Sequence, residues 1–175
     1  MVPPLSAPSR WLVDNLDLLP GAARVLDVAC GRGRHALFMA GAGFGVDAID
    51  RDSEAIAEVQ EQARQRGLVV NAAVVDLETH PPPSLSDGRY DCVLVFNYLH
   101  RPLFPALRRA VKRGGLIVYE TFTVRQAERG HPQNPDFLLR DGELIQLLEA
   151  FTILRSREGE YDGRFVASAV ARGPK

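Results

Sequence analysis

With 175 residues, 46% hydrophobic and 25% charged, the chain has the length and balance of one globular domain burying roughly 70% of its unfolded surface. Its net charge of −1 gives no basic excess and argues against a nucleic-acid substrate. Two cysteines are too few for a disulfide framework, no Cys/His pattern suggests a metal, and no apolar run approaches membrane-spanning length, so the expected setting is cytoplasmic, with no membrane partner.

The first ten residues, MVPPLSAPSR, carry Pro3, Pro4 and Pro8 and lack the apolar centre of a signal peptide. Trp11, Leu12, Asn15, Leu16 and Leu19 then recur at amphipathic spacing. They predict a short helix before Pro20-Gly21 that packs on a sheet edge or folds over a ligand as a lid. Trp11 is read as a packing anchor.

Residues 24–50, RVLDVACGRGRHALFMAGAGFGVDAID, carry the densest signal. An apolar strand holding Asp27 leads into the turn Cys30-Gly31-Arg32-Gly33; Arg34 to Ala42 has helical spacing with Gly43 as its stop; Gly45 to Ile49 is a second strand ending on Asp50. Strand, glycine turn, helix, strand and acid form the layout of a nucleoside pocket in a doubly wound sheet. Gly31 and Gly33 permit positive φ and close approach of a ligand, and the following helix aims its free N–H groups at the turn. Asp50 can accept hydrogen bonds from two ribose hydroxyls. Gly31, Gly33 and Ala36 also satisfy a dinucleotide fingerprint, so a nicotinamide-dependent oxidoreductase is a competing reading. Asp27 separates the two. A carboxylate just before the turn repels a pyrophosphate but favours the sulfonium and ammonium of S-adenosylmethionine. Asp27 can equally serve to order the turn by accepting backbone N–H groups.

Asp52 or Ser53 caps the next helix, whose Ile56, Val59 and Ala63 face the sheet until Gly67 ends it. Leu68 to Val75 is a third strand followed by Asp76-Leu77. There a carboxylate can accept the adenine N6 amine while the Leu77 N–H bonds a ring nitrogen; Asp76 can instead simply cap its loop. Pro81 to Gly88 is turn chemistry. Strand four, Tyr90 to Phe96, ends at Asn97, which touches cofactor or supports the loop. A helix follows from Pro102 to Val111. Gly114-Gly115 turns into strand five, Leu116 to Glu120. Residues 122–140 are irregular and rich in Pro, His, Asn and Arg, a helix starts at Asp141 or Gly142, and Phe151–Glu158 with Gly163–Arg172 form a closing antiparallel pair.

Methyl transfer requires an acceptor held in line with an already activated methyl group, and a base only where the acceptor is protonated and weakly acidic. The polar groups at the tip of strand four are Asn97, Tyr98, His100 and Arg101. His100 is a candidate base or anion ligand, or a helix-start residue bonded to a carbonyl. Arg101 is a candidate partner for an acidic substrate. Glu120 faces the same crevice or pairs with an arginine, with Arg125 and Arg129 as candidates. His131, Asn134, Phe137 and Arg140 either close over substrate or belong to a solvated loop.

Taken in order, the glycine motif, Asp50, Asp76, the strand Tyr90–Phe96 and the stretch Lys112-Arg113-Gly114-Gly115-Leu116-Ile117-Val118 resemble class I S-adenosylmethionine-dependent methyltransferases over roughly residues 20–170. Tyr98–Phe104, Tyr119–Phe122 and Gly130–Leu139 are similar to the small stand-alone enzymes of the bacterial tellurite-resistance type. The resemblance implies one doubly wound, Rossmann-like α/β domain over residues 1–175, its mostly parallel seven-stranded sheet carrying an antiparallel C-terminal strand. Residues 1–20 are then an N-terminal helix or lid, 21–121 the cofactor-binding half, and 122–175 the substrate-side loop, helix and closing strand pair. The expected cofactor is S-adenosylmethionine, leaving S-adenosylhomocysteine, on Asp27, Ala29, Gly31, Gly33, Asp50, Arg51, Asp76, Leu77 and Asn97. Tyr98, His100 and Arg101 position a small-molecule acceptor such as a thiol or a chalcogen oxyanion. The alternative is a binding-only sensor or partner-dependent module. No metal is expected, and the chain is a monomer or homodimer.

Overall fold

The computed structural model describes residues 5–175; Pro3 and Pro4 lie outside the described residues. The elements run α1 (Arg10–Val13), β1 (Arg24–Val28), α2 (Arg34–Gly41), β2 (Gly45–Asp50), α3 (Ser53–Gln65), β3 (Val70–Val74), β4 (Tyr90–Phe96), α4 (Phe104–Ala110), β5 (Val111–Phe122), α5 (Glu143–Leu147), β6 (Thr152–Tyr161) and β7 (Arg164–Arg172). One seven-stranded sheet has the order β3-β2-β1-β4-β5-β7-β6. The first five strands are parallel, whereas β7 runs antiparallel between β5 and β6. Two antiparallel pairings therefore close the sheet. The order reverses beside β1, which puts a crevice at the carboxyl ends of β1 and β4, where doubly wound sheets bind ligands.

Both faces of the central strands are covered, which is why β4 reads as a continuous apolar run rather than an alternation. One cluster packs Val93, Val95, Leu103, Leu107 and Tyr119; the other packs Val25, Met39, Ile56, Val59 and Leu94. Asp52 caps α3 by accepting the Glu54 and Ala55 N–H groups, and Gly67, at φ 65°, ends it.

Several boundaries depart from expectation, three of them for a clear local reason. The helix expected to reach Leu19 ends at Val13, because the Asn15 amide donates to the Trp11 carbonyl at 2.7 Å and the chain continues as a 3₁₀ turn over Leu16–Leu18. β5 begins at Val111 instead of Leu116, since Tyr90 pairs with Val111 and a bulge follows. Gly115 serves that bulge: a Cβ there would stand 3.0 Å from the Asp91 carbonyl oxygen. β5 also runs on to Phe122 because β7 supplies partners as far as Val166. No helix among the described residues is long and apolar enough to cross a membrane.

Candidate active site

Ala29 follows β1 and Asn97 follows β4, and both adopt left-handed backbone, with φ of 53° and 54°. Non-glycine residues seldom hold that conformation, which stores on the order of 1–3 kcal/mol and concentrates at functional sites. The surroundings fix Asn97 firmly. Its N–H donates to the Glu120 carbonyl at 2.9 Å, and its Oδ1 accepts from Arg164 at 3.3 Å. Both residues line two adjoining cavities of about 700 and 500 Å³.

Asp27, Gly31, Arg34 and Phe96 line the smaller cavity. Asp27 is 1% exposed, and its Oδ2 has no hydrogen-bond partner. Burial pushes its carboxyl up to about 7, against the opposing pull of the Ala36 N–H it accepts and of the nearby Arg34 charge. Arg34 forms no hydrogen bond or ion pair among the described residues, and burial together with the charge of Arg164 lowers its pKa. The two glycines of the turn differ in role. A Cβ on Gly31 would meet no protein atom within 4 Å, so its open side gives onto the cavity. A Cβ on Gly33 would stand 2.6 Å from Val59 Cγ2, so this glycine lets α2 lie close to α3.

The larger cavity begins at Asp50, Arg51, Leu77 and Glu78. Asp50 accepts the Gly31 N–H at 2.8 Å and the Asp52 N–H at 3.0 Å, which ties the glycine turn to the tip of β2. Arg51 pairs with Glu78 at 3.3 Å. Asp76 is exposed and outside both cavities; it accepts the Glu78 N–H at 2.9 Å. The cavity continues past Asn97 and Tyr98 to Phe122, His131, Asn134 and Phe137. Burial raises the Tyr98 pKa, and its hydroxyl has no partner. Phe137 is 49% exposed at the mouth.

Beneath Asn97 lies a buried network. Glu120 is fully buried and accepts from Ser9 Oγ (2.8 Å), Ser168 Oγ (2.7 Å), Arg157 (3.0 Å) and Arg164 (3.4 Å). Ser9 N–H donates to His35 Nε2 at 3.1 Å, and burial holds His35 neutral, its pKa lowered to about 3. The arginines that reach Glu120 are thus Arg157 and Arg164; Arg125 and Arg129 instead lie over the Phe165 ring. Trp11 is buried under the Arg157 guanidinium.

The structure therefore gathers Asp27, Ala29, Gly31, Asp50, Arg51, Leu77, Asn97 and Tyr98 on the two cavities and leaves Gly33, Asp76, His100 and Arg101 off them. His100 keeps a buried Nε2 without a partner, and Arg101 is bound to Glu143. Arg140 also pairs with Glu143. Sequence reasoning missed Arg34, although it directly follows the second glycine. It also missed Arg164, which arrives on β7 with no local signal. Among the described residues no group of three or more His, Cys, Asp and Glu side chains could hold a metal.

The donor set fits S-adenosylmethionine better than a dinucleotide. A buried carboxyl with one oxygen unpartnered lies in the cavity under the glycine turn, where a pyrophosphate would be repelled. A family model described as a methyltransferase domain matches residues 25–115. A glycine/sarcosine N-methyltransferase of Halorhodospira halochloris is 33% identical over 89 residues, 48% of this chain and 31% of that protein. A probable S-adenosyl-L-methionine-dependent methyltransferase, TehB, of Haemophilus influenzae is 27% identical over 92 residues, 51% of this chain and 31% of that protein. The matches thus span less than a third of these two relatives' lengths. The crystal structure of Haemophilus influenzae TehB shares the fold, with a TM-score of 0.77 at 22% identity over 96% of this chain and 63% of that one.

Proposed function

The chain belongs to the class I S-adenosylmethionine-dependent methyltransferases, and on that premise we propose that it methylates a small acceptor whose nucleophile is a soft anion, a thiolate or a chalcogen oxyanion. One observation carries the acceptor class. Arg157 and Arg164 share the single carboxylate Glu120, and Arg164 also reaches Asn97 Oδ1 at 3.3 Å, so one guanidinium charge beneath Asn97 has no carboxylate of its own.

When bound, S-adenosylmethionine supplies a methyl group on a sulfonium, an electrophile already activated. Asp27 receives the ammonium and Arg34 the carboxylate of its amino-acid tail; Asp50 receives the ribose hydroxyls; Arg51 and Leu77 flank the adenine. Asn97 and Tyr98 line the passage to the acceptor. The excess cation charge favours the ionised acceptor, so no side chain need remove a proton. Phe122, Phe137 and Pro132 exclude water from the approach. Because a cavity of about 700 Å³ continues past Asn97, turnover is a better reading than binding alone.

Labelled S-adenosylmethionine tested against thiophenol, selenite, tellurite and neutral phenols checks the assignment. Transfer to thiol or oxyanion acceptors is expected. Transfer confined to neutral phenols overturns the acceptor class, and calorimetric binding of NAD without binding of S-adenosylhomocysteine overturns the cofactor.

A further inference from the structure

The geometry points to Arg101 as a positioning residue that fixes the acceptor-side wall of the larger cavity to the loop leaving β4. This rests on the reading that residues beyond Asn97 surround the acceptor. The wall is an excursion of chain between Thr123 and Leu139, which meet in an isolated bridge. The Val124 N–H donates to the Leu139 carbonyl at 2.8 Å, and the Leu139 N–H to the Phe122 carbonyl at 2.9 Å, so the neck is closed. The excursion carries two short 3₁₀ segments, Val124–Glu128 and Pro135–Phe137, and it supplies His131, Asn134 and Phe137 to the cavity.

Arg101 restrains it from outside. Nη1 donates to the Asp136 carbonyl at 2.9 Å, and Nη2 donates to the Leu138 carbonyl at 2.9 Å. The same guanidinium holds Glu143 in a forked pair, Nε at 2.7 Å and Nη2 at 2.9 Å. Glu143 is 5% exposed and also accepts the Arg140 N–H at 2.8 Å, so the anchor is itself braced. A forked arginine–carboxylate pair combines strength with a fixed plane, and lysine cannot reproduce it. Arg101 lies four residues after Asn97 and three after Tyr98, and the Tyr98 carbonyl is held by the Tyr119 hydroxyl at 2.7 Å. One rigid loop therefore carries both the residues lining the passage and the arginine that sets the opposite wall. Phe137 lies between the two carbonyls that Arg101 grips, so its place at the mouth depends on this side chain.

Hydrogen exchange on the intact chain tests the assignment. In Arg101→Ala, amides of residues 131–138 are expected to exchange at least about 10-fold faster, with β1 and β2 amides unchanged. Affinity for S-adenosylhomocysteine should stay within about 3-fold, and the KM for thiophenol should rise about 10-fold with kcat much less affected. Arg101→Lys should not rescue. Should Arg101→Ala fail to fold, Glu143→Gln, which keeps the shape and removes the charge, should show the same local acceleration. Unchanged exchange over 131–138 in a folded variant overturns the proposal, as does a loss of S-adenosylhomocysteine affinity equal to the loss for the acceptor. If the unmodified chain methylates neither thiophenol nor the selenite and tellurite oxyanions, the acceptor class fails, and the exchange result still decides the role of Arg101.

Discussion

Replacing Asp27 by Asn should make the protein more stable and the cofactor weaker. Asp27 ionises near 3.8 in an unfolded chain and near about 7 here, because burial disfavours its charge. At 1.36 kcal/mol for each tenfold change, that gap is about 4 kcal/mol. The native state holds the proton where the unfolded state has lost it. Stability therefore falls as pH rises from about 4 to about 7, and nearly the whole loss is present at pH 7. Asn keeps the acceptor for the Ala36 N–H, avoids the buried charge and has no such slope. Its amide still lacks a partner, so the gain at pH 7.5 lies below the full 4 kcal/mol, about 2–3 kcal/mol. His35 titrates in the opposite sense. Its pKa is depressed from 6.5 to about 3, so stability is lost as pH falls through that window, but equally in both proteins. Subtracting urea-unfolding curves of the two proteins from pH 4.5 to 8 therefore isolates Asp27. The proposed ammonium contact requires the ionised form, so S-adenosylhomocysteine should bind the Asn variant about 10- to 100-fold more weakly, the range for a charge-assisted hydrogen bond. Binding to the unmodified protein should release a proton between pH 5 and 7, visible as buffer-dependent calorimetric heat. An Asn variant that is no more stable at pH 7.5, or that binds as well as the original, would refute this account of Asp27.

Asp50→Ala should weaken S-adenosylhomocysteine by roughly 1.5–3 kcal/mol in calorimetry, since it loses ribose contacts and frees the Gly31 N–H. Gly33→Ala should lower stability by about 1–3 kcal/mol in thermal melts, because φ is 75° and the added carbon strikes Val59. Gly31→Val should instead abolish S-adenosylhomocysteine binding, its side chain entering the cavity. Arg164→Met should cut turnover of thiophenol on the order of 10-fold by removing one cation beside Asn97, with cofactor affinity little changed.

The part of the crevice at the tips of β1 and β2 was legible because it is local. Asp27, Gly31, Gly33 and Asp50 lie within 24 residues and are held by a turn, one helix and two adjacent parallel strands. Patterning there constrains both backbone and position. Asp76 was placed at the right strand tip, but the tip alone does not fix where a side chain turns, and the Glu78 N–H takes its Oδ1. The part beyond Asn97 was illegible for the opposite reason. Arg164 reaches Glu120 across 44 residues because β7 inserts between β5 and β6, and Arg101 reaches Glu143 across 42. Neither pairing has a period or a motif. The sequence offered Arg101 as a free cation for substrate; its bonds to the chain's own carboxylate and carbonyls come from a tertiary approach that no local pattern encodes.

The charges of the smaller cavity support the proposed ligand from a second direction. Asp27 and Arg34 both line it and each feels the charge of the other, yet they form no ion pair. Asp27 is buried and Arg34 partly so, and opposite charges withdrawn from water normally pair, since an unpaired buried charge is disfavoured. Two opposite charges left unpaired in one cavity fit a ligand that presents both signs. An amino-acid zwitterion does so, and a pyrophosphate does not. Asp27 alone would suit any cation, and Arg34 alone any anion; the two in one cavity support the proposed contact with the amino-acid tail of S-adenosylmethionine. The left-handed backbone at Ala29 sets the start of the glycine turn where the two cavities meet.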